Sequence, residues 1–265
     1  MNFAPINGYK LAYSLQGALD RPAVVLSHAL ATSMDIWGYQ LPLLARRFLV
    51  LRYDLRGHGE SGTPGDSYTL QELASDVSAL LDYLKISRAV FVGLSVGGMI
   101  GQTFALQYPE KVTGLVLCST GSRTEPQAKA TIEDRINRVR TEGLGSQVPS
   151  TLQRWFTSRF IEQAPHTMRW VSDLILATST DGYIGCSRAI QGLDATDGLS
   201  EIRVRTLLIP GEHDLGFPET TSRTIQDKIA NSELVVLKGA AHLGNVEQAH
   251  LFNEILVDFL GRVPG

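Results

Sequence analysis

Ser95 stands in the stretch FVGLSVGG, residues 91–98, with Gly93 before it and Gly97 and Gly98 behind it. A serine hydroxyl is a weak nucleophile at neutral pH unless a base takes its proton, and that base is usually a histidine oriented by a carboxylate. The pattern G-x-S-x-G describes a strand that turns sharply into a helix and holds the serine at φ > 0, so that its Oγ points out of the sheet. Side chains two residues before and after the serine would collide in so tight a turn. Gly93 and Gly97 remove them, and Gly98 lets strand and helix approach closely. A glycine-rich turn with a spectator serine is the alternative. The strand-like AVFVGL before Ser95 and the helix-like MIGQTFALQY after it favour the elbow.

On this pattern the acid and then the histidine come later in the chain. Asp214 closes PGEHD behind the apolar run TLLIP, and His242 closes GAAH behind LVVL, so both follow strands and reach the same rim. The catalytic candidates are therefore Ser95, Asp214 and His242. His58 in RGHGESG is read as a loop brace, His166 and His250 lie in or beside helices, and His213 has no strand-end reason to face the serine. Asp194 is the next candidate acid, with Asp197 beside it, whereas Asp54 is read as an anchor of its own loop. Acyl transfer also needs donors for the developing oxyanion, and the backbone N–H of Val96, at the start of the helix after the nucleophile, is one.

These residues require a sheet. INGYKLAYSL places Asn7-Gly8 between apolar segments, the signal of an N-terminal antiparallel hairpin. AVVLSH, FLVLRYD, AVFVGL and GLVLCS, then TLLIP and LVVL, are short β-branched runs that suit buried parallel strands. TLQELASDVSALLDYLK repeats its leucines at helical spacing behind a Thr69–Glu72 capping box. Strand and helix alternate as in a doubly wound, mostly parallel α/β sheet. Between Gly121 and about Ser200 strand-like runs stop and helical periodicity takes over, which predicts an inserted cap. The expected organisation is core 1–121, helical cap 122–200 and core 201–265.

Composition narrows the function. A 265-residue chain with 43% hydrophobic residues can bury a large core, and a formal net charge of −3 offers no basic surplus for a phosphate backbone. Nucleic acid is excluded as an expected partner. No cationic leader precedes an apolar stretch and no apolar run reaches bilayer length, so a cytoplasmic protein with no membrane partner is expected. Cys118 and Cys186 form neither a disulfide framework nor a metal-ligand spacing and are read as reduced bystanders. No metal and no organic cofactor are expected; oligomeric state is open.

The stretch SHALATSMDIW resembles the H-G-x-x-x-S-x-x-x-W region of α/β-hydrolases, with His28, Ser33 and Trp37 in step and Ala29 where the family carries glycine. RYDLRGHGESGTP, VGLSVGG, PGEHD and GAAHLGNVEQ match in the same order, so the resemblance spans nearly the whole chain. It implies the α/β-hydrolase fold and puts the second oxyanion donor on Leu30 N–H. Within that superfamily SHALATSMDIWGYQLPLL, GLSVGGMIGQ, RWF, LATSTDGYIGCSRAIQGLD and AHLGNVE are most similar to the 3-oxoadipate enol-lactonases. That implies hydrolysis of a small lactone or ester through an acyl-enzyme, in aromatic catabolism. A general carboxylesterase, an amidase or a carbon–carbon bond hydrolase would use the same triad, and a ligand receptor on this fold is the reading from another class.

In the cap, Trp155 of RWF is the favoured pocket residue among Trp155, Phe156, Phe160, Met168 and Trp170, because RWF resembles the lactonase cap. Arg123, Arg135, Arg138, Arg154 and Arg169 are expected to be mostly solvated, with one of them able to hold a substrate carboxylate bidentately.

Overall fold

The computed structural model describes residues 1–263. Its eight strands are β1 (Asn2–Ile6), β2 (Tyr9–Gln16), β3 (Ala23–Ser27), β4 (Leu49–Tyr53), β5 (Ala89–Leu94), β6 (Val112–Cys118), β7 (Arg205–Ile209) and β8 (Ser232–Leu234). They form one sheet in the order β1-β2-β4-β3-β5-β6-β7-β8. Asn7 and Gly8 both take positive φ (46° and 86°), which sets the two-residue turn that pairs Ile6 with Tyr9. β1 and β2 are antiparallel to their neighbours, and every pairing from β3 onward is parallel.

The core helices are α1 (Leu41–Leu44), α2 (Leu70–Tyr83), α3 (Val96–Gln107), α9 (Glu219–Gln226), α10 (Gly244–Glu247) and α11 (Ala249–Gly261). The cap helices are α4 (Pro126–Glu142), α5 (Val148–Trp155), α6 (Ser158–Gln163), α7 (Pro165–Ala177) and α8 (Thr180–Gln191). All five cap helices lie between β6 and β7 in the chain. Thr69 caps α2 as its sequence pattern requires: Thr69 Oγ1 accepts from Glu72 N, and the Glu72 carboxylate accepts from Thr69 N at 2.8 Å.

The period of two along each strand divides the interior into two cores. Val25, Leu51, Phe91 and Leu115 face Leu73, Val77, Met99 and Phe104 of α2 and α3. Val24, Val50, Val92 and Val116 face the opposite way, into a cluster shared by Phe252, Leu256 and Phe259 of α11 and by the cap residues Ile136, Phe156 and Val171. The second core therefore continues into the cap.

Three local readings change. β8 spans only Ser232–Leu234 instead of the LVVL run, because it is an edge strand with β7 as its one partner; the chain nonetheless keeps bonding beyond it, Val235 N to Leu208 O at 2.9 Å and Leu237 N to Pro210 O at 2.8 Å. The C-terminal helix is broken at Gln248 (φ −123°, ψ 47°) into α10 and α11. Cys186, whose neighbours in the chain include Ser187 and Arg188, is fully buried, as is Cys118, and burial pushes both thiols up in pKa. Among the described residues no helix is long and apolar enough to cross a membrane.

A tight constraint between α3 and β3 is at Gly97, where a Cβ would sit 2.3 Å from the Ser27 carbonyl oxygen. Gly97→Ala must push α3 away from β3, so it is expected to cost at least about 2 kcal/mol, a fall of roughly 5 °C in thermal midpoint. Calorimetry of the variant checks this; an unchanged midpoint would mean that the two backbones are not in contact.

Candidate active site

Ser95 joins β5 to α3 at φ 57° and ψ −117°. Its N–H donates to Cys118 O at 2.9 Å and its carbonyl accepts from Thr120 Oγ1 at 2.8 Å, so the end of β6 and the segment that follows it hold the strained turn from both sides. A Cβ on Gly93 would lie 2.2 Å from Gly97 O. Gly98 differs from the sequence reading: a Cβ there would meet the Thr120 side chain at 2.7 Å, so it makes room for that brace and not for a strand–helix contact.

His242 Nδ1 and Asp214 Oδ2 lie 2.8 Å apart in a buried hydrogen bond. A carboxylate only accepts, so Nδ1 carries the proton and Nε2 is left as the basic nitrogen. The other carboxylate oxygen, Oδ1, accepts from Gly216 N at 2.9 Å and Phe217 N at 3.1 Å. Burial disfavours the Asp214 anion, but the His242 charge and hydrogen bond and the two backbone donors outweigh it and hold the carboxyl below its ordinary pKa. The imidazole is stacked between Phe217 (centroids 5.7 Å apart) and Trp155 (6.3 Å), which fixes its plane. Ser95, Asp214 and His242 line one cavity of about 650 Å³. The Ser95 hydroxyl makes no hydrogen bond among the described residues.

Leu30 lines the same cavity, and Val96 is buried directly behind Ser95. Neither backbone N–H donates to a protein acceptor among the described residues. The loop carrying Leu30 is held by two buried histidines. Leu55 N donates to His28 Nε2 at 2.9 Å and His28 Nδ1 donates to Ala29 O at 2.8 Å; Ala31 N donates to His58 Nε2 at 3.1 Å and His58 Nδ1 donates to Arg56 O at 2.9 Å. In each ring one nitrogen must accept, so each imidazole is neutral. Burial pushes His28 down to about 3, with the nearby His58 acting in the same direction, and pushes His58 down to about 4. Within this loop the left-handed residue is Ala31 (φ 57°), not Ala29, which explains how alanine replaces the family glycine at position 29. Asp54 anchors the loop from below through Met34 N (2.7 Å) and Glu60 N (3.0 Å), and its burial pushes its carboxyl up to about 6.

The competing groups lie elsewhere. Asp194 and Asp197 pair with Arg123, His213 with Glu212, and His250 with Glu254, all partly or fully exposed, and His166 is exposed on α7. Of the five cap candidates Trp155 lines the cavity, whereas Phe156 stacks on Phe160, Trp170 meets Tyr39 edge-on, and Met168 is core. Arg138 and Arg169 face solvent.

Arg135 and Arg154 are half-buried on the cavity wall, and neither forms an ion pair among the described residues. Arg154 bonds only Thr151 Oγ1, at 2.9 Å; burial and the charge of Arg135 lower its pKa. The sequence offered five arginines without a choice; three of them, Arg123, Arg135 and Arg154, line the cavity, and Arg123 is paired with Asp194 and Asp197. The sequence reading also passed over Phe217, although its place three residues after Asp214 was a usable signal. Among the described residues no cluster of His, Cys, Asp or Glu has the make-up to hold a metal ion.

The sequence profile of the alpha/beta hydrolase fold family matches residues 22–249, and the chain belongs to that family. It is a hydrolase acting on esters or lactones. It is 35% identical over 244 residues to 3-oxoadipate enol-lactonase 2 of Acinetobacter baylyi, which covers 92% of this chain and 90% of that protein. The crystal structure of the enol-lactonase from Burkholderia xenovorans LB400 superimposes with a TM-score of 0.95 at 36% identity, covering 98% of this chain and 100% of that one. A thermophilic esterase from Thermogutta terrifontis superimposes with a TM-score of 0.94 at 27% identity, covering 99% of this chain and 99% of that one.

The buried histidines make the fold acid-sensitive. Their folded pKa values lie below the unfolded value of 6.5, so the unfolded chain binds more protons as pH falls from 6.5 toward 4, and stability present above 6.5 is lost. Asp54 acts oppositely between 3.8 and about 6, since there the fold binds the extra proton. Two protons against one leave a net slope of about 1.4 kcal/mol per pH unit. Urea midpoints at pH 7, 5 and 4 are expected to fall steadily, and His58→Gln to flatten the slope. A midpoint that does not move with pH would mean charged imidazoles in the fold.

Proposed function

We propose that Ser95 is the nucleophile, His242 the general base and Asp214 its orienting acid, in hydrolysis of a small lactone or ester that carries a carboxylate. The observation that carries this reading is the buried His242–Asp214 hydrogen bond on the same cavity wall as a serine held at φ 57°. His242 Nε2 takes the Ser95 proton while Oγ bonds to the carbonyl carbon. The carbonyl electrons move onto oxygen, and the N–H groups of Leu30 and Val96 donate to that oxyanion. As the oxyanion collapses, the ring C–O bond breaks and the leaving oxygen receives the proton from His242. Water then gives a proton to Nε2 and attacks the acyl carbon; the C–Oγ bond breaks, Oγ takes the proton back from Nε2, and a carboxylic acid and free Ser95 are released. Asp214 stabilises the imidazolium in both steps.

The carboxylate requirement is argued from Arg135 and Arg154, two half-buried cations on the cavity wall with no ion-pair partner among the described residues, which an anionic group would neutralise. Trp155 and Phe217 supply flat apolar contacts beside the imidazole. The names of the relatives point the same way: two are enol-lactonases, and the Thermogutta esterase is described with malate, a small dicarboxylate, bound. A 3-oxoadipate enol-lactone-like compound unites a lactone carbonyl with a carboxylate at the other end.

Ser95→Ala is expected to abolish turnover of a carboxylated enol-lactone, and Asp214→Asn to lower kcat about 10⁴-fold. Wild-type rates in Ser95→Ala would refute the nucleophile, and less than about tenfold loss in Asp214→Asn would move the orienting role to another acid. Replacing both Arg135 and Arg154 by alanine is expected to raise KM for the acidic lactone by about 10- to 100-fold while leaving KM for a neutral aryl ester unchanged. Equal effects on both substrates would remove the carboxylate from the reading. A single slow acylation per chain on the aryl ester would mark a receptor in place of an enzyme.

A further inference from the structure

Glu247 is a buried carboxylate that the mechanism does not use, and no lysine or arginine pairs with it among the described residues. Its Oε2 accepts from Ala241 N at 2.8 Å, the backbone N–H of the residue before His242. Its Oε1 accepts from Thr157 N at 3.1 Å and from the Thr157 hydroxyl, two residues beyond Trp155. The peptide on the other side of His242 reaches the same stretch of cap: Leu243 N donates to Trp155 O at 3.1 Å. The backbone N–H groups of both residues that flank His242 are thus committed, one to Glu247 and one to the residue whose indole stacks on the imidazole.

α10 extends this contact toward the oxyanion loop. Asn245 Nδ2 donates to Ile36 O at 2.9 Å, and Gln40 Nε2 donates to Asn245 O at 2.9 Å. One turn of helix therefore bonds the histidine loop, the cap and the segment that follows Leu30. We infer that Glu247 is a positioning residue: it fixes the register between the cap wall at Trp155 and the loop bearing His242, and so sets the angle at which the imidazole meets Ser95 and the substrate. This rests on the reading of His242 as the base. Three donors converge on two oxygens, a demand that a carboxylate meets and an amide does not. Glutamine has one acceptor oxygen and would turn its NH₂ toward a donor on either the Ala241 or the Thr157 side.

A misplacement of about 1 Å at a reacting group can cost on the order of 100-fold in rate without weakening substrate binding. Glu247→Gln is therefore expected to lower kcat for a neutral aryl acetate by about 10- to 100-fold per active site, counted by fluorophosphonate titration, with KM changed less than about threefold. Thr157→Val, which removes only the hydroxyl donor, is expected to lose less, about three- to tenfold. The double variant should be no slower than Glu247→Gln alone, because both act through one contact. Counting active sites separates geometry from folding, since a purely structural defect lowers the number of titratable sites and leaves kcat per site intact.

A kcat per titrated site within about twofold of wild type in Glu247→Gln overturns the inference, as do losses that multiply in the double variant. If Glu247→Gln does not fold, Thr157→Val decides: an unchanged kcat per site overturns the inference, and a loss with constant KM upholds it. If Ser95→Ala is inactive while Glu247→Gln is fully active, the positioning role alone fails. If the fluorophosphonate labels a residue other than Ser95, the proposed chemistry fails and this inference with it.

Discussion

The backbone of Ser95 is the constraint around which the rest of the structure is arranged. A non-glycine residue at φ 57° and ψ −117° costs roughly 1–3 kcal/mol, and such a conformation persists only where its surroundings over-determine it. Here they do. The last residue of β6, Cys118, takes the Ser95 N–H, and Thr120, two residues beyond that strand, donates to its carbonyl, while α3 begins at once and donates its Gly98 and Met99 amides to the same carbonyl oxygen. Gly93 and Gly97 permit three backbones to approach within a distance that no side chain would tolerate. The sheet order then determines what can stand opposite. β5 has β3 on one side and β6 on the other, so the loop after β3 and the turns after β7 and β8 all open at the same end as Ser95.

Preorganisation extends outward from that point through buried polar groups that are fully used. Asp214 accepts three hydrogen bonds, from His242 and from two backbone amides, and His28 and His58 each spend both ring nitrogens on loop backbone. In a low-dielectric interior an unsatisfied member of such a set is costly, so each bond holds its loop to one geometry. Donors that must wait for a developing charge gain most from this arrangement, because they do not need to reorganise when it appears. The amides of Leu30 and Val96 are left without protein acceptors among tightly bonded neighbours.

How much of this could be read from the chain depended on the range of the interaction. The hairpin at Asn7-Gly8, the capping box at Thr69 and the elbow around Ser95 are local devices in which a few adjacent residues dictate backbone dihedrals, and each is found where its residues require. Asp214 and His242 were legible because strand-ending turns in a parallel sheet share one rim. The cap's interior was not. Helical periodicity marks which face of α4 or α5 is apolar, but Arg135 and Arg154 become neighbours on a cavity wall only through the packing of separate helices. The Glu247–Thr157 contact joins residues on two different elements, and nothing in the residue types at either position signals the other. Gly98 shows a milder version: a glycine was required, but its neighbour was the Thr120 side chain, from the segment after β6, which no local pattern names.

The distribution of charge in the cavity also bears on turnover under the proposed reading. The cavity wall holds the Asp214 carboxylate, kept below its ordinary pKa by the His242 charge and hydrogen bonds, and also two guanidinium groups without ion-pair partners among the described residues. A carboxylated lactone enters with its one negative charge directed to the arginines, which places its neutral ester carbonyl near Ser95. Hydrolysis creates a second carboxylate at the serine end, and this new charge lies close to Asp214 in a medium where like charges repel more strongly than in water. The product is therefore bound less well at that end than the substrate was, although the same two arginines hold its other end. Field and chemistry together then favour release after ring opening.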